Sequence, residues 1–428
     1  MYTSAGLILA LMVVIYIIAL RIKLSTELAM FASAVGGALA AGEWFPARHI
    51  AEGAITYLDI NLTFISATLF MNILKETGGV AYAVRGIIKK FHKSRVLLLI
   101  LLTFLLLIPG ALTGAGSVTV LITGGMVAVV LNYMGIPRIK IAAIIFLIAG
   151  LSAAAPPVSL WAMMTAAGVN MPYVGFFWPL LIPCVTGALI TIFLLGWKGH
   201  DIDVPMALSE LPAPHVKMNW LKIIIPFLVF FGFILIGRKW PHSTPVVGLP
   251  LMFMLAALAS YLLSPEKINF FKIASSTLRQ LLPLIGTLTC AGILVQIMTL
   301  TGVRGLLAIT FITLPTALVI GILFILLPIT ESVLMYGAAA VFGVPLILLF
   351  NSIGMNPIIA LAGMSVIWPL GDALPPTAII GRLTVDVVGF KDKYSMFLKQ
   401  CIVPAIIFCI IGTLMVIYSS KLGFLTGL

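Results

Sequence analysis

The chain has 428 residues, 62% of them hydrophobic and only 9% charged, with a mean hydropathy of +1.22 and a formal net charge of +12. No water-soluble core requires that much apolar surface, so the surrounding solvent is lipid and the chain reads as one all-α polytopic membrane domain. The positive excess does not mark a nucleic-acid binder, because the basic residues sit in short loops, as the positive-inside bias produces. Cys184, Cys290, Cys401 and Cys409 are scattered without ligand spacing and imply neither a disulfide framework nor a metal site.

Apolar windows of about 20 residues predict spans over 4–22, 27–45, 58–75, 139–166 and 173–196. The first lacks a basic leader and a small-residue cleavage site and is expected to be retained. A polar linker follows over 197–219, containing His200, Asp201, Asp203, Glu210 and three prolines. A second set of spans is predicted over 220–237, 243–263, 282–300, 357–384 and 397–418. Between the third and fourth spans of each set lies a long apolar stretch with a break in its middle. The first is 96–134, broken from Pro109 to Ser117; the second is 315–351, broken from Pro328 to Ser332. Arms this short suit a re-entrant hairpin better than two crossings, provided protein shields the turn.

The two sets repeat each other. At an offset of 219, Pro109, Asn132, Gly135, Pro156 and Pro157 recur as Pro328, Asn351, Gly354, Pro375 and Pro376. At an offset of 224, Thr63, Ala67, Thr77 and Gly78 match Thr287, Ala291, Thr301 and Gly302. Five spans and one hairpin make an odd number of crossings, so the repeats are expected to be inverted, 1–196 against 220–428, joined by a cytoplasmic linker. With Met1 outside, 20 of the 25 Lys and Arg residues fall on the cytoplasmic side, a strong bias for one orientation. Two amphipathic stretches, Tyr82 to Arg95 and Ser264 to Arg279, are expected as a matched pair of helices at the cytoplasmic interface.

The chemistry concentrates at the breaks. The first tip, Thr113-Gly114-Ala115-Gly116-Ser117-Val118-Thr119, combines flexible backbone with hydroxyls. Ser152 and Pro156-Pro157-Val158-Ser159 break the following span. Freed carbonyls and hydroxyls of this kind form a cage for a hard monovalent cation where half-helices meet. A glycine-rich packing turn, with hydroxyls bonded back to local carbonyls, is the other reading of the same residues. In the second half Thr330-Glu331-Ser332 faces Gly371-Asp372 and Pro375-Pro376-Thr377. Glu331 and Asp372 are acids in apolar sequence, where charges are costly and face a cavity or a partner. They can ligate a cation, carry a proton or pair with Arg382. Glu331 stands where the offset that pairs the prolines puts the neutral Leu112. His49, His92, His200, His215 and His242 all fall in predicted loops, and no phosphate-binding motif is present, so neither an enzyme nor an ATP-driven pump is indicated.

At these motifs the chain resembles the large membrane subunit of tripartite ATP-independent periplasmic (TRAP) transporters. The resemblance is carried by Thr113 to Ser117, Gly135-Ile136-Pro137, Pro156-Pro157-Val158-Ser159, Thr330-Glu331-Ser332, Gly354-Met355-Asn356-Pro357 and Pro375-Pro376-Thr377. It covers most of the chain in order. The first tip departs from the family's usual Ser-Gly-Ser-Ser, and Glu331 stands where an Asp is expected. The resemblance implies an elevator-type importer of carboxylates or sialic-acid-like sugar acids, C4-dicarboxylates among them, driven by Na+ as the coupling ion. It further implies a small membrane subunit, a periplasmic substrate-binding protein, and a place in a bacterial or archaeal inner membrane. The expected substrate contacts are Thr113, Gly114, Pro156, Ser159, Ser332, Pro375 and Thr377. The expected cation contacts are Gly116, Ser117, Thr119, Ser152, Thr330, Glu331 and Asp372. A stand-alone carboxylate carrier or exchanger, proton-coupled through Glu331, is the alternative.

Overall fold

In the computed structural model, residues 2–214, 217–240 and 247–427 are described; His215, His242 and positions 243–246 of one predicted span lie outside them. The first half runs α1 (Tyr2–Arg21), α2 (Thr26–Ala40), α3 (Ala47–Ile55), α4 (Leu58–Glu76), α5 (Gly79–Phe91) and α6 (Arg95–Thr113). It continues through α7 (Gly116–Thr119), a wide π turn (Val120–Gly124), α8 (Gly125–Tyr133), α9 (Arg138–Ala154), α10 (Leu160–Gly168) and α11 (Phe177–Gly196). A linker helix, α12 (Val204–Glu210), precedes the second half: α13 (Trp220–Lys239), α14 (Leu249–Leu262), α15 (Phe270–Leu300), α16 (Val303–Thr313) and α17 (Thr316–Leu334). A π turn (Ala339–Gly343), α18 (Val344–Ser352), α19 (Pro357–Ile367), a 3-10 turn (Trp368–Ala373), α20 (Ile379–Val388) and α21 (Tyr394–Ile417) complete it. Among the described residues, nine helices are long and apolar enough to cross a membrane.

The sequence repeats correspond to equal local structure. Thr77 and Thr301 end α4 and α15, and Gly78 and Gly302 start the next helix with φ of 79° and 77°. Glycine is the residue that takes this left-handed conformation without a steric cost. Gly135 and Gly354 turn between hairpin and broken helix with φ of 73° and 79°. The π turns start at Val120 and Ala339, in the same register as the paired prolines, and both Pro-Pro bonds are cis.

Three expectations are corrected. The stretch Ser264–Arg279 is no separate interfacial helix, because its residues from Phe270 onward run without interruption into the predicted 282–300 span as the 31-residue α15. The counterpart of α5 is therefore α16, as the two left-handed glycines require. Helix α3 lies where no element is predicted, because its nine residues carry Arg48, His49 and Glu52 and fall short of an apolar window. His49 is thus helical.

Loop contacts group as the charge bias does. Arg95 donates to the Gly196 carbonyl, Arg85 to those of Leu208 and Leu211, and Arg138 to that of Gly389. The linker crosses the base of the first hairpin, where His200 N donates to Met134 O at 2.8 Å. A separate group joins Arg304 to the Gly168 carbonyl at 2.6 Å and Ser420 to that of Gly354 at 3.0 Å. Single cysteines at Lys90 and Lys391 are expected to react with an impermeant thiol reagent from the cytoplasm, and one at Lys239 from outside. Labelling of Lys90 and Lys239 from one side would defeat the inverted arrangement.

Candidate functional site

The first tip turns at Gly114, where φ is 72°, after α6 has passed through Pro109. It docks on the end of α9. Val158 N, just past Pro156-Pro157, donates to Ala111 O at 3.1 Å. The hydroxyls of Thr119 and Ser152 bond each other at 2.9 Å, and Ser152 also donates to Ala149 O at 2.6 Å. Thr113 donates back to Pro109 O at 2.7 Å, the local bonding expected of a hydroxyl in a helix. Gly116 packs so tightly that a Cβ there would stand 2.8 Å from Ala149 O. Ser117 is half-buried beside it, and the Ser159 hydroxyl at the start of α10 is buried without a partner.

The second tip lies further along than the sequence suggests. Helix α17 passes Pro328, Thr330, Glu331 and Ser332 unbroken and turns only at Met335, whose φ is 53°. Proline inside a helix removes one backbone bond without ending the helix when neighbours satisfy the freed carbonyl. Helices α6 and α17 both have 19 residues and start at Arg95 and Thr316. Aligning those starts matches Ser332 with Ala111, and the bond recurs: Thr377 N and Oγ1 donate to Ser332 O at 3.3 and 2.9 Å. Thr330 and Ser332 donate back to Leu327 O and Ile329 O. Pro375 and Pro376 are exposed, and Thr377 is half-buried.

The same register places Glu331 opposite Gly110, not Leu112. Across from them stand Gly371 and Ser152, which match each other in the register of the paired prolines. The halves thus exchange one device: Gly110 leaves room for Ser152, and Gly371 leaves room for Glu331. A Cβ on Gly110 would lie 2.7 Å from Ser152 Cβ, and one on Gly371 would lie 2.6 Å from Glu331 Cβ.

Glu331 and Asp372 are 0% and 3% exposed, and neither pairs with Arg382 or any other cation among the described residues. Both oxygens of Glu331 and Oδ2 of Asp372 make no hydrogen bond. Buried carboxylates in this condition carry a large desolvation penalty unless a cation or a proton compensates it. Beside them stand Trp161 and Tyr336, with ring centroids 5.0 Å apart, and the indole N–H groups of Trp161 and of Trp368, four residues before Asp372, are also unpartnered. Tyr394 donates to Ala373 O at 2.8 Å.

The two halves meet here. Thr165 of α10 donates to Ala339 O behind the second tip, and Ile380 of α20 packs against Gly116 of the first. A cavity of about 710 Å³ opens beside Pro156 and Pro157, walled by Tyr173, Phe176, Phe233 and Met252. Trp161 and Tyr336 escape a sequence reading, as does the fit of Gly110 and Gly371 to the side chains across from them, because only the tertiary fold sets these contacts.

No family model and no curated protein matches the chain. Among solved structures it is similar to the YdaH transporter of Alcanivorax borkumensis, described as having an unusual topology. The TM-score is 0.60 at 13% identity, over 88% of this chain and 87% of that one. It is also similar to MtrF of Neisseria gonorrhoeae, described as illuminating a class of antimetabolite efflux pumps. Here the TM-score is 0.61 at 13% identity, over 89% and 85% of the two chains. The class so defined is a multi-pass α-helical membrane protein with a fold found in these transporters. At this identity the likeness is one of fold.

Proposed function

We propose that the chain is a sodium-coupled secondary active transporter that imports an organic anion by an elevator movement. In this reading 1–196 and 220–428 are inverted repeats joined by the cytoplasmic linker 197–219. The observation that carries it is the docking of each hairpin tip on the end of a broken helix, with unpartnered buried carboxylates at the second. Half-helix ends supply amides for an anion and carbonyls for a cation. Thr113, Gly114, Pro156, Ser159, Ser332, Pro375 and Thr377 would contact the substrate. Gly116, Ser117, Thr119, Ser152, Thr330, Glu331 and Asp372 would hold sodium. The motif resemblance supports a role as the large permease of a TRAP system in an inner membrane, with a small membrane subunit and a periplasmic binding protein. The substrates it favours are C4-dicarboxylates or sialic-acid-like sugar acids.

A second reading is favoured by the fold likeness to MtrF, described with efflux pumps: a stand-alone carrier, proton-coupled through Glu331. Uptake into liposomes by the purified chain, with a panel of carboxylates and with or without a sodium gradient, separates the two. Sodium-dependent accumulation supports the first; accumulation driven only by a proton gradient supports the second. Ser117→Ala is expected to weaken sodium activation several-fold while leaving the thermal midpoint within about 2 °C of wild type, as a half-exposed hydroxyl implies. An unchanged sodium activation curve in this variant would remove Ser117 from the site.

A further inference from the structure

Helix α4 carries a row of polar side chains along one face over most of its length. Tyr57 at its N-cap is followed by Asn61, Thr68, Asn72 and Lys75. On a helix of 3.6 residues per turn these positions fall within about 60° of one another; Phe64 interrupts the row. Tyr57 OH, Asn61 Oδ1 and Thr68 Oγ1 are buried and make no hydrogen bond. Elsewhere on the same helix, Thr63 and Ser66 are satisfied by the carbonyls of Asp59 and Leu62.

The row faces protein and not lipid. Asn72 donates to Thr277 of α15 at 2.8 Å. At the inner end Lys75 Nζ donates to Leu121 O, in the π turn of the first hairpin, at 2.9 Å. Near Tyr57 stands Arg304, which holds the last turn of α10 through the Gly168 carbonyl. In the second half, the register that pairs Gly78 with Gly302 makes the matching positions Leu281, Ile285, Gly292, Gln296 and Thr299. The upper three have lost their polar side chains, so the row is not a by-product of the repeat.

Orphaned polar groups inside a membrane protein are costly and call for a partner, such as a passing ligand and its water. We propose that this face of α4 is the fixed wall of the translocation pathway, hydrogen-bonding a polar anion and its water in passage, with Lys75 as the anion contact at the inner mouth. Hydroxyls that both donate and accept suit a carboxylate and its hydration shell, and the face carries no acid that would select a cation. The inference rests on the transporter reading above.

Cysteine reactivity tests it without requiring transport. Thr68→Cys and Asn61→Cys in the full chain, reconstituted in liposomes, are exposed to an anionic ethylsulfonate and a cationic trimethylammonium methanethiosulfonate. Phe70→Cys, turned the other way against Phe227, sets the background together with the four native cysteines. Asn61, Thr68 and Phe70 are all buried in this state, so a rate at both row positions about tenfold above that of Phe70→Cys is expected only from water entering along the row as the pathway opens. Lys75→Gln is expected to slow the anionic reagent about threefold and to leave the cationic one as fast or faster, through loss of a local positive potential. Reaction at the Phe70→Cys rate with both reagents would overturn the wall, leaving a static helix contact. Equal slowing of both reagents by Lys75→Gln would overturn the anion assignment. Asn61→Cys carries the test should Thr68→Cys misfold. Uptake without labelling defeats the wall alone, whereas labelling without uptake defeats the transport reading and keeps the path.

Discussion

Glu331→Gln is expected to reduce coupled uptake at least about tenfold, a loss of about 1.4 kcal/mol or more, while expression stays near normal. The substitution keeps the shape and removes only the charge. Both carboxylate oxygens of Glu331 are buried without a hydrogen bond of ordinary geometry, and the indole N–H of Trp161 beside them meets an amide oxygen as well as a carboxylate, so replacement costs no internal hydrogen bond. A structural carboxylate in that condition would leave the protein as stable or more stable when neutralised, and uptake would be untouched. A cation ligand would instead lose the charge that compensates the ion. Lowering the pH is expected not to rescue the variant, because an amide cannot be protonated into the missing role. The measurement is sodium-dependent uptake in liposomes alongside a thermal melt. Wild-type uptake at every sodium concentration would remove Glu331 from the mechanism.

Gly371→Ala has the second large effect. Its methyl group would meet Pro328 O and stand 2.6 Å from Glu331 Cβ and 3.0 Å from Ser332 N. Two of these atoms are backbone, and all sit in a tip already tied to Thr377, so the tip must move away. Overpacking of this kind costs about 1–3 kcal/mol, read as a lower melting temperature with uptake largely lost. The first half offers an internal control. The methyl group of Gly110→Ala would crowd the Ser152 side chain and stand 2.8 Å from Thr119 Oγ1; Ser152→Gly removes the first obstacle and frees the Thr119 hydroxyl to turn away. The double variant should therefore recover most of the stability lost by Gly110→Ala alone, at the expense of the Thr119–Ser152 bond. No recovery would mean that Gly110 serves the turn and not the fit.

The elements that were legible in sequence are those decided by local backbone chemistry. Pro156-Pro157 and Pro375-Pro376 stop helices whatever surrounds them, and Gly78, Gly135 and their counterparts announce turns. Helices over most of the predicted apolar windows were legible for the same local reason. What escaped was decided by contact at a distance. Pro328 looks like the partner of Pro109, yet a small shift of register between the halves moves the second turn to Met335. Only the bonds from Val158 and Thr377 reveal the true register, and with it the pairing of Glu331 and Gly371. The length of α15 was hidden because a polar stretch with Ser275, Ser276 and Arg279 looks like an end when it is the inner part of a rod.

That rod differs from its counterpart in the first half, where α3 and α4 are separated by a joint at Thr56 and Tyr57. Thirty-one residues of α-helix measure about 46 Å, well beyond a hydrocarbon layer of about 30 Å. A jointed pair can fold at its elbow when the bilayer thins; an unjointed rod can only lean or protrude. Bilayer thickness would then set the tilt of one half more than that of the other. The lipid chain length around this protein thus becomes a setting for the angle between its halves.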